Sequence, residues 1–159
     1  ASVPIVYAIA AVHEDLEYVE VVSHIASRSA GPATRINLDE YIETTEAAVK
    51  KFSGAKHAKA ILTLNPALPC VDMQTTVLVQ VASPDLDKIS SSITKMVSKV
   101  QEYVPGYQLL MGAVLENGRI VVTVKVNGLG DYLPKYAGNL DIINCAAIAT
   151  AEHYAKSRT

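Results

Sequence analysis

Between Ser29 and Asn37 the sequence places a Gly-Pro pair, two hydroxyls and a guanidinium directly ahead of a helix start: Ser29-Ala30-Gly31-Pro32-Ala33-Thr34-Arg35-Ile36-Asn37. A glycine lets backbone approach a ligand closely, and a proline stiffens the loop and removes one donor. Asn37 with Glu40 has the spacing of a capping pair, which puts free N–H groups and a positive helix end beside the loop. Such a loop suits an anion or the carboxamide of a cofactor; an ordinary capped helix after a strand fits the same spacing. Asn139, just after Gly138, sets a second amide at the start of the last helical stretch. Cys70 and Cys145 are the thiols available for nucleophilic chemistry. Cys145 lies among small helical residues and is expected to be buried and inert, and Cys70 has no evident base beside it. No Cys-x-x-Cys occurs and His13, His24, His57 and His153 are scattered, so no metal site is expected.

The elements that must position these residues alternate. Ser2-Val3-Pro4 opens a helix expected to run to about His13, with Ser2 as cap. Residues 18–27 are rich in β-branched types and read as a strand feeding the Ser29 loop. A helix follows over about 38–52, stopped by Gly54. Strands are expected over 58–64 and 75–82, then a helix led by Ser83-Pro84-Asp85 with a stripe of Leu86, Ile89, Ile93, Met96, Val97 and Val100. Asn117-Gly118 between two apolar runs is a strong hairpin signal. An irregular loop over 127–138 leads to a last helix over about 139–155. The pattern is α+β: a mixed, largely antiparallel sheet with helices on one face, leaving the other face in need of a cover.

At 159 residues, 50% hydrophobic and 19% charged, the chain is expected to form one domain over residues 1–159. A net charge of −2 argues against nucleic acid or an anionic membrane as partner. No apolar run reaches the roughly 18 residues of a spanning helix, and the amino terminus lacks signal-peptide regions. A cytoplasmic protein with reduced thiols is the expectation.

Several blocks in fixed order carry a resemblance. They are residues 29–35 with Asn37, then Glu43-Thr44-Thr45, Lys59-Ala60-Ile61, Asn65-Pro66-Ala67, Tyr103-Val104-Pro105-Gly106-Tyr107 and the stretch from Tyr132 to Ile142. Together they resemble the acylating acetaldehyde dehydrogenases that partner 4-hydroxy-2-oxovalerate aldolases in aromatic catabolism. The resemblance implies a sheet like that of glyceraldehyde-3-phosphate dehydrogenase catalytic domains, with its open face forming a homodimer. It implies NAD contacts from Ser29, Ala30, Gly31, Pro32, Ala33, Thr34, Arg35, Ile36, Asn37 and Asn139. It also implies an aldehyde pocket at Asn37 and Leu38. The chemistry implied is attack of a cysteine thiolate on the aldehyde, hydride transfer to NAD and acyl transfer to coenzyme A.

Four departures accompany the resemblance. The family's nucleophile belongs to a Cys-Gly-Gly-Gln-Ala segment whose alanine would be Ala1, so the cysteine would stand four positions earlier. No G-x-G-x-x-G occurs, so the Rossmann NAD-binding domain is not in this sequence. Thr75 falls where the family has an aspartate, and the turn between Leu115 and Arg119 is shorter. The sequence therefore reads as the substrate and dimerisation domain, expected to be inactive alone. The other reading is a degenerate interaction module without chemistry.

Overall fold

The computed structural model describes residues 1–158. Helix α1 (Ser2–Ala10) leads to β1 (Tyr18–Ala26), a 3-10 turn at Ser27–Ser29, α2 (Pro32–Ile36) and α3 (Leu38–Ser53). Then come β2 (His57–Asn65), β3 (Met73–Gln80), α4 (Leu86–Gln101), β4 (Tyr107–Glu116), β5 (Arg119–Val126) and α5 (Gly138–Lys156). The strands form one sheet in the order β2-β1-β3-β5-β4. Only β1 and β2 are parallel; the other pairs are antiparallel, so the α+β mixed sheet expected from the sequence is what the chain adopts.

Strand alternation divides the sheet into two faces. Val19, Val21 and Ile25 of β1, Val77 and Val79 of β3, and Ile120, Val122, Val124 and Val126 of β5 form the covered face with α1 and α4. Ile5, Val6, Ala8 and Ile9 of α1 are fully buried. A nine-residue helix is too short to persist alone, and burying each large aliphatic side chain contributes about 1.5–3 kcal/mol, so tertiary packing makes this helix. α4 has an Asp85 cap whose carboxylate accepts from Lys88 N at 3.1 Å. His13 accepts from Asp85 N at 2.9 Å, tying the end of α1's exit turn to the start of α4.

Among the described residues no helix covers the other face. Its middle rows read Ile61–Val22–Thr76–Thr123–Met111 and Lys59–Glu20–Leu78–Val121–Val114 across the five strands. Polar rows bound them: Thr63, His24, Gln74, Lys125 and Gln108 at one end, and His57, Tyr18, Gln80, Arg119 and Glu116 at the other. Lys125 pairs with Asp72 at 2.7 Å, and Tyr18 donates to Glu20 at 2.9 Å, with Arg119 stacked over the Tyr18 ring. Burial and the Glu20 carboxylate hold the Tyr18 phenol above its ordinary pKa.

Four local expectations are corrected. α1 ends at Ala10 rather than His13, and its cap position is Ala1 rather than Ser2. The Ser29 loop is not irregular throughout, because Pro32 opens a five-residue helix, preset by its fixed φ at the first helical position. Asn37 does not cap α3. It leaves α2 with φ −104° and ψ 23°, so its amide turns back and donates to Ala33 O at 3.0 Å instead of accepting from the α3 amides. Cys145 is half-buried rather than enclosed, because α5 touches the domain along one side only.

Candidate functional site

The carboxyl ends of β1 and β2, the start of β3 and the end of β5 meet at one edge of the sheet. Ile25 and Leu62 point from the first two strands to the covered face, and Met73 from the third. The first turns of α1 and α5 close over them. The result is a partly open cavity of about 200 Å³, walled by Ile25, Leu62, Met73, Leu140, Ile142 and Ile143 and completed by Ala1, Thr34, Tyr41 and Asn139. A wider groove of about 470 Å³ adjoins it, lined by Ala1, Ser2, Val3, Asn37, Glu40, Tyr41, Thr44, Thr45, Ala48 and Ile143. Ala1, Tyr41 and Ile143 border both spaces.

The predicted contact residues divide by what their polar atoms do. Thr34 and Asn139 line the cavity and Asn37 the groove. Asn139 is the second residue of α5, so it is not the helix cap, and its Oδ1 is buried without a hydrogen-bond partner. A buried acceptor left unpaired costs about 1–3 kcal/mol; the atom is sealed from water, so a ligand N–H reaches it only if the side chain turns into the cavity. Ser29 and Arg35 serve the loop itself. Ser29 donates to Ala26 O at 2.8 Å, and Arg35 reaches Ala30 O at 3.1 Å, Ser27 O at 3.0 Å and Ser27 Oγ at 2.8 Å.

Ala30 is buried against the core. Gly31 has no heavy atom within 4 Å of where a Cβ would stand, and its φ of −73° is one any residue adopts. Its role is therefore open space above the loop rather than backbone strain. Pro32 starts α2, Ala33 accepts from the Asn37 amide, and Ile36 is 82% exposed. Leu38 lines neither space.

Thr75 stands one step further into the sheet than Met73, on the covered face. It is 1% exposed and shares a hydrogen bond of 3.0 Å with Ser23. Asp72 lies on the opposite side, paired to Lys125, so it supplies no carboxylate here. Sequence reasoning missed Ile25, Leu62, Met73 and Ile142 as cavity walls. The signal available was parity: each takes the inward position at the same end of the sheet, or the inward side of α5. Among the described residues no group of three or more His, Cys, Asp or Glu side chains is placed to hold a metal, and no helix is long and apolar enough to cross a membrane.

The fold is an α+β domain with a five-stranded mixed sheet covered by helices on one face, and comparison with known proteins gives the family. Residues 1–134 match the family described as prokaryotic acetaldehyde dehydrogenase, dimerisation. The chain belongs to that family: it is an acetaldehyde dehydrogenase dimerisation domain. An acetaldehyde dehydrogenase of Spirochaeta aurantia is 61% identical over 99% of this chain and 53% of its own length. One from Pectobacterium atrosepticum is 59% identical over 96% and 51%. The chain thus spans about half the length of the curated relatives it matches. Among solved structures, aspartate semialdehyde dehydrogenase II of Vibrio cholerae aligns over 86% of this chain and 50% of its own, at 10% identity and a TM-score of 0.37.

Proposed function

We propose that this chain supplies the substrate-binding and dimerisation half of an acylating acetaldehyde dehydrogenase. The reaction is RCHO + NAD⁺ + CoASH → RCO–SCoA + NADH + H⁺. The observation that carries the reading is the partly open cavity, apolar on most sides, with Thr34 and Asn139 in its lining. A cavity of about 200 Å³ limits the occupant to a short alkyl group or one side of a ring. The cavity suits the alkyl group of the aldehyde, with Thr34 and Asn139 in its lining, and the wider groove beside Asn37 suits the nicotinamide. Bound there, a nicotinamide would supply the hydride acceptor. The chain's own residues hold and orient the ligand and keep water from the reacting carbon. The thiol nucleophile implied by the resemblance would lie before Ala1, the residue that borders both spaces.

The bare sheet face is the proposed homodimer surface, since Ile61, Val22, Met111, Leu78, Val121 and Val114 put apolar side chains in its middle rows between polar ends. A 4-hydroxy-2-oxovalerate aldolase partner and a cytoplasmic location belong to the same reading. One observation favours the degenerate alternative: Thr75, at the family's aspartate position, is sealed against Ser23 and cannot act as a carboxylate.

Joining the portion of the Spirochaeta aurantia relative that this chain does not cover ahead of Ala1 tests the reading. NADH formation from acetaldehyde, NAD and coenzyme A by the fusion, and none by the 159-residue chain, is the expected result. A folded dimeric fusion that makes no NADH decides for the interaction module.

A further inference from the structure

We infer that Tyr107 is a positioning residue for this site, holding the first turn of α1 where it borders both spaces. The inference rests on the proposed assignment of those spaces to substrate and cofactor. Tyr107 opens β4, the strand at the sheet edge furthest from β2, and is fully buried. Its hydroxyl donates to Ala1 O at 2.8 Å. It is held in turn from below, because its carbonyl accepts from Gln101 Nε2 at 2.8 Å. Met73, Val126 and Tyr107 are cross-strand neighbours in one row, so the phenol extends the same line of strand ends that floors the cavity.

The first turn of α1 needs such a hold. No side chain caps it. The Ala1 carbonyl accepts the first intrahelical bond, from Ile5, and Pro4 has no N–H to offer a substitute. Ala1, Ser2 and Val3 all line the groove, and Ala1 lines the cavity as well. A shift of this turn therefore moves a wall of both. A tyrosine buried for packing alone would do as well as phenylalanine, since both rings fill the same volume; the hydroxyl is the part that the site uses. Burial pushes the phenol pKa up, so it stays a donor at any working pH.

The test is Tyr107→Phe in the 159-residue chain, read by amide hydrogen exchange and by titration with propionamide, a short-chain amide of a size the cavity admits. Loss of one hydrogen bond worth about 1 kcal/mol is about a fivefold effect. Ile5 and Val6 amides should exchange about fivefold faster while those of α4 and β5 keep their protection, and propionamide should bind about fivefold more weakly. Unchanged exchange at α1 overturns the inference. Uniform loss of protection also overturns it, because Tyr107 is then a core residue like any other. Loosened α1 with unchanged propionamide affinity removes the positioning role. Failure of the unsubstituted chain to bind propionamide overturns the cavity assignment itself, and the role of Tyr107 with it.

Discussion

Ser23 Oγ and Thr75 Oγ1 lie 3.0 Å apart on adjacent strands, both buried on the covered face of the sheet. Each hydroxyl is the other's partner, and neither residue is part of the cavity lining. The pair is thus a sealed polar contact one residue below the cavity floor, where a carboxylate would be without a cation. Thr75→Val keeps the shape and strands the Ser23 hydroxyl, so it should destabilise the chain by about 1–3 kcal/mol. Ser23→Ala with Thr75→Val removes both hydroxyls and should cost less than the sum of the single changes. Thr75→Asp buries an unpaired charge and should cost about 3 kcal/mol or more near neutral pH. Urea denaturation of the four variants measures this; additive single and double changes would mean the two hydroxyls are not coupled.

The sequence announced the sheet and helices through different signals of unequal strength. The α4 stripe and the Asn117-Gly118 turn were legible because they rest on local chemistry: helical spacing, an Asp85 cap, and residues that accept positive φ, here 49° and 74°. The α2 turn was not. It depends on Arg35 reaching back over the loop to Ser27 and Ala30, and no periodicity reports a side chain folding onto its own backbone. Asn37 misled for the same reason, since its cap-like spacing says nothing about the helix packed just before it. At the site, the polar residues Thr34, Asn37 and Asn139 were named from sequence. The apolar walls needed strand register, which only pairing sets.

Leu62 is a wall of the cavity and only partly buried, so truncation should enlarge the space at modest cost to folding. In the active fusion, Leu62→Ala should shift preference towards longer aldehydes. One or two methylenes in an apolar pocket are worth about 1–3 kcal/mol, so the butanal-to-acetaldehyde ratio of kcat/KM should rise about tenfold or more. An unchanged ratio, with turnover intact, would place the alkyl group somewhere else.

Leu78 sits at the centre of the bare sheet face, between Glu20 of β1 and Val121 of β5. Leu78→Asp adds a second carboxylate beside Glu20 in the middle of that face but leaves the covered face untouched. In a homodimer closed through this surface, two such carboxylates become desolvated together, and the dimer should dissociate. Light scattering should then give the monomer mass, with the circular dichroism of the fold retained. A persistent dimer would assign the contact to another surface.

In the 159-residue polypeptide taken by itself, the Ala1 amine provides a pH signature of the same corner of the molecule. Desolvation lowers its pKa from 8.0 to about 6. Below about pH 6 both folded and unfolded chains carry the proton, and the folded state bears the full penalty of a poorly solvated charge. Between about 6 and 8 the unfolded chain binds more protons, so stability rises with pH, and above 8 the penalty is gone. Two units correspond to at most about 2.7 kcal/mol, and water in the adjoining groove reduces this. The carboxyls lowered by their partners, Glu17 by Lys56, Glu46 by the Ala60 amide and Asp85 by the Lys88 amide, act in a separate window, losing their contribution only as pH falls through the acid range. The urea midpoint of the 159-residue chain should therefore climb between pH 5.5 and 8.5, and amino-terminal acetylation should flatten that climb. A midpoint that rises equally after acetylation would move the effect to another group and leave the first turn of α1 solvated.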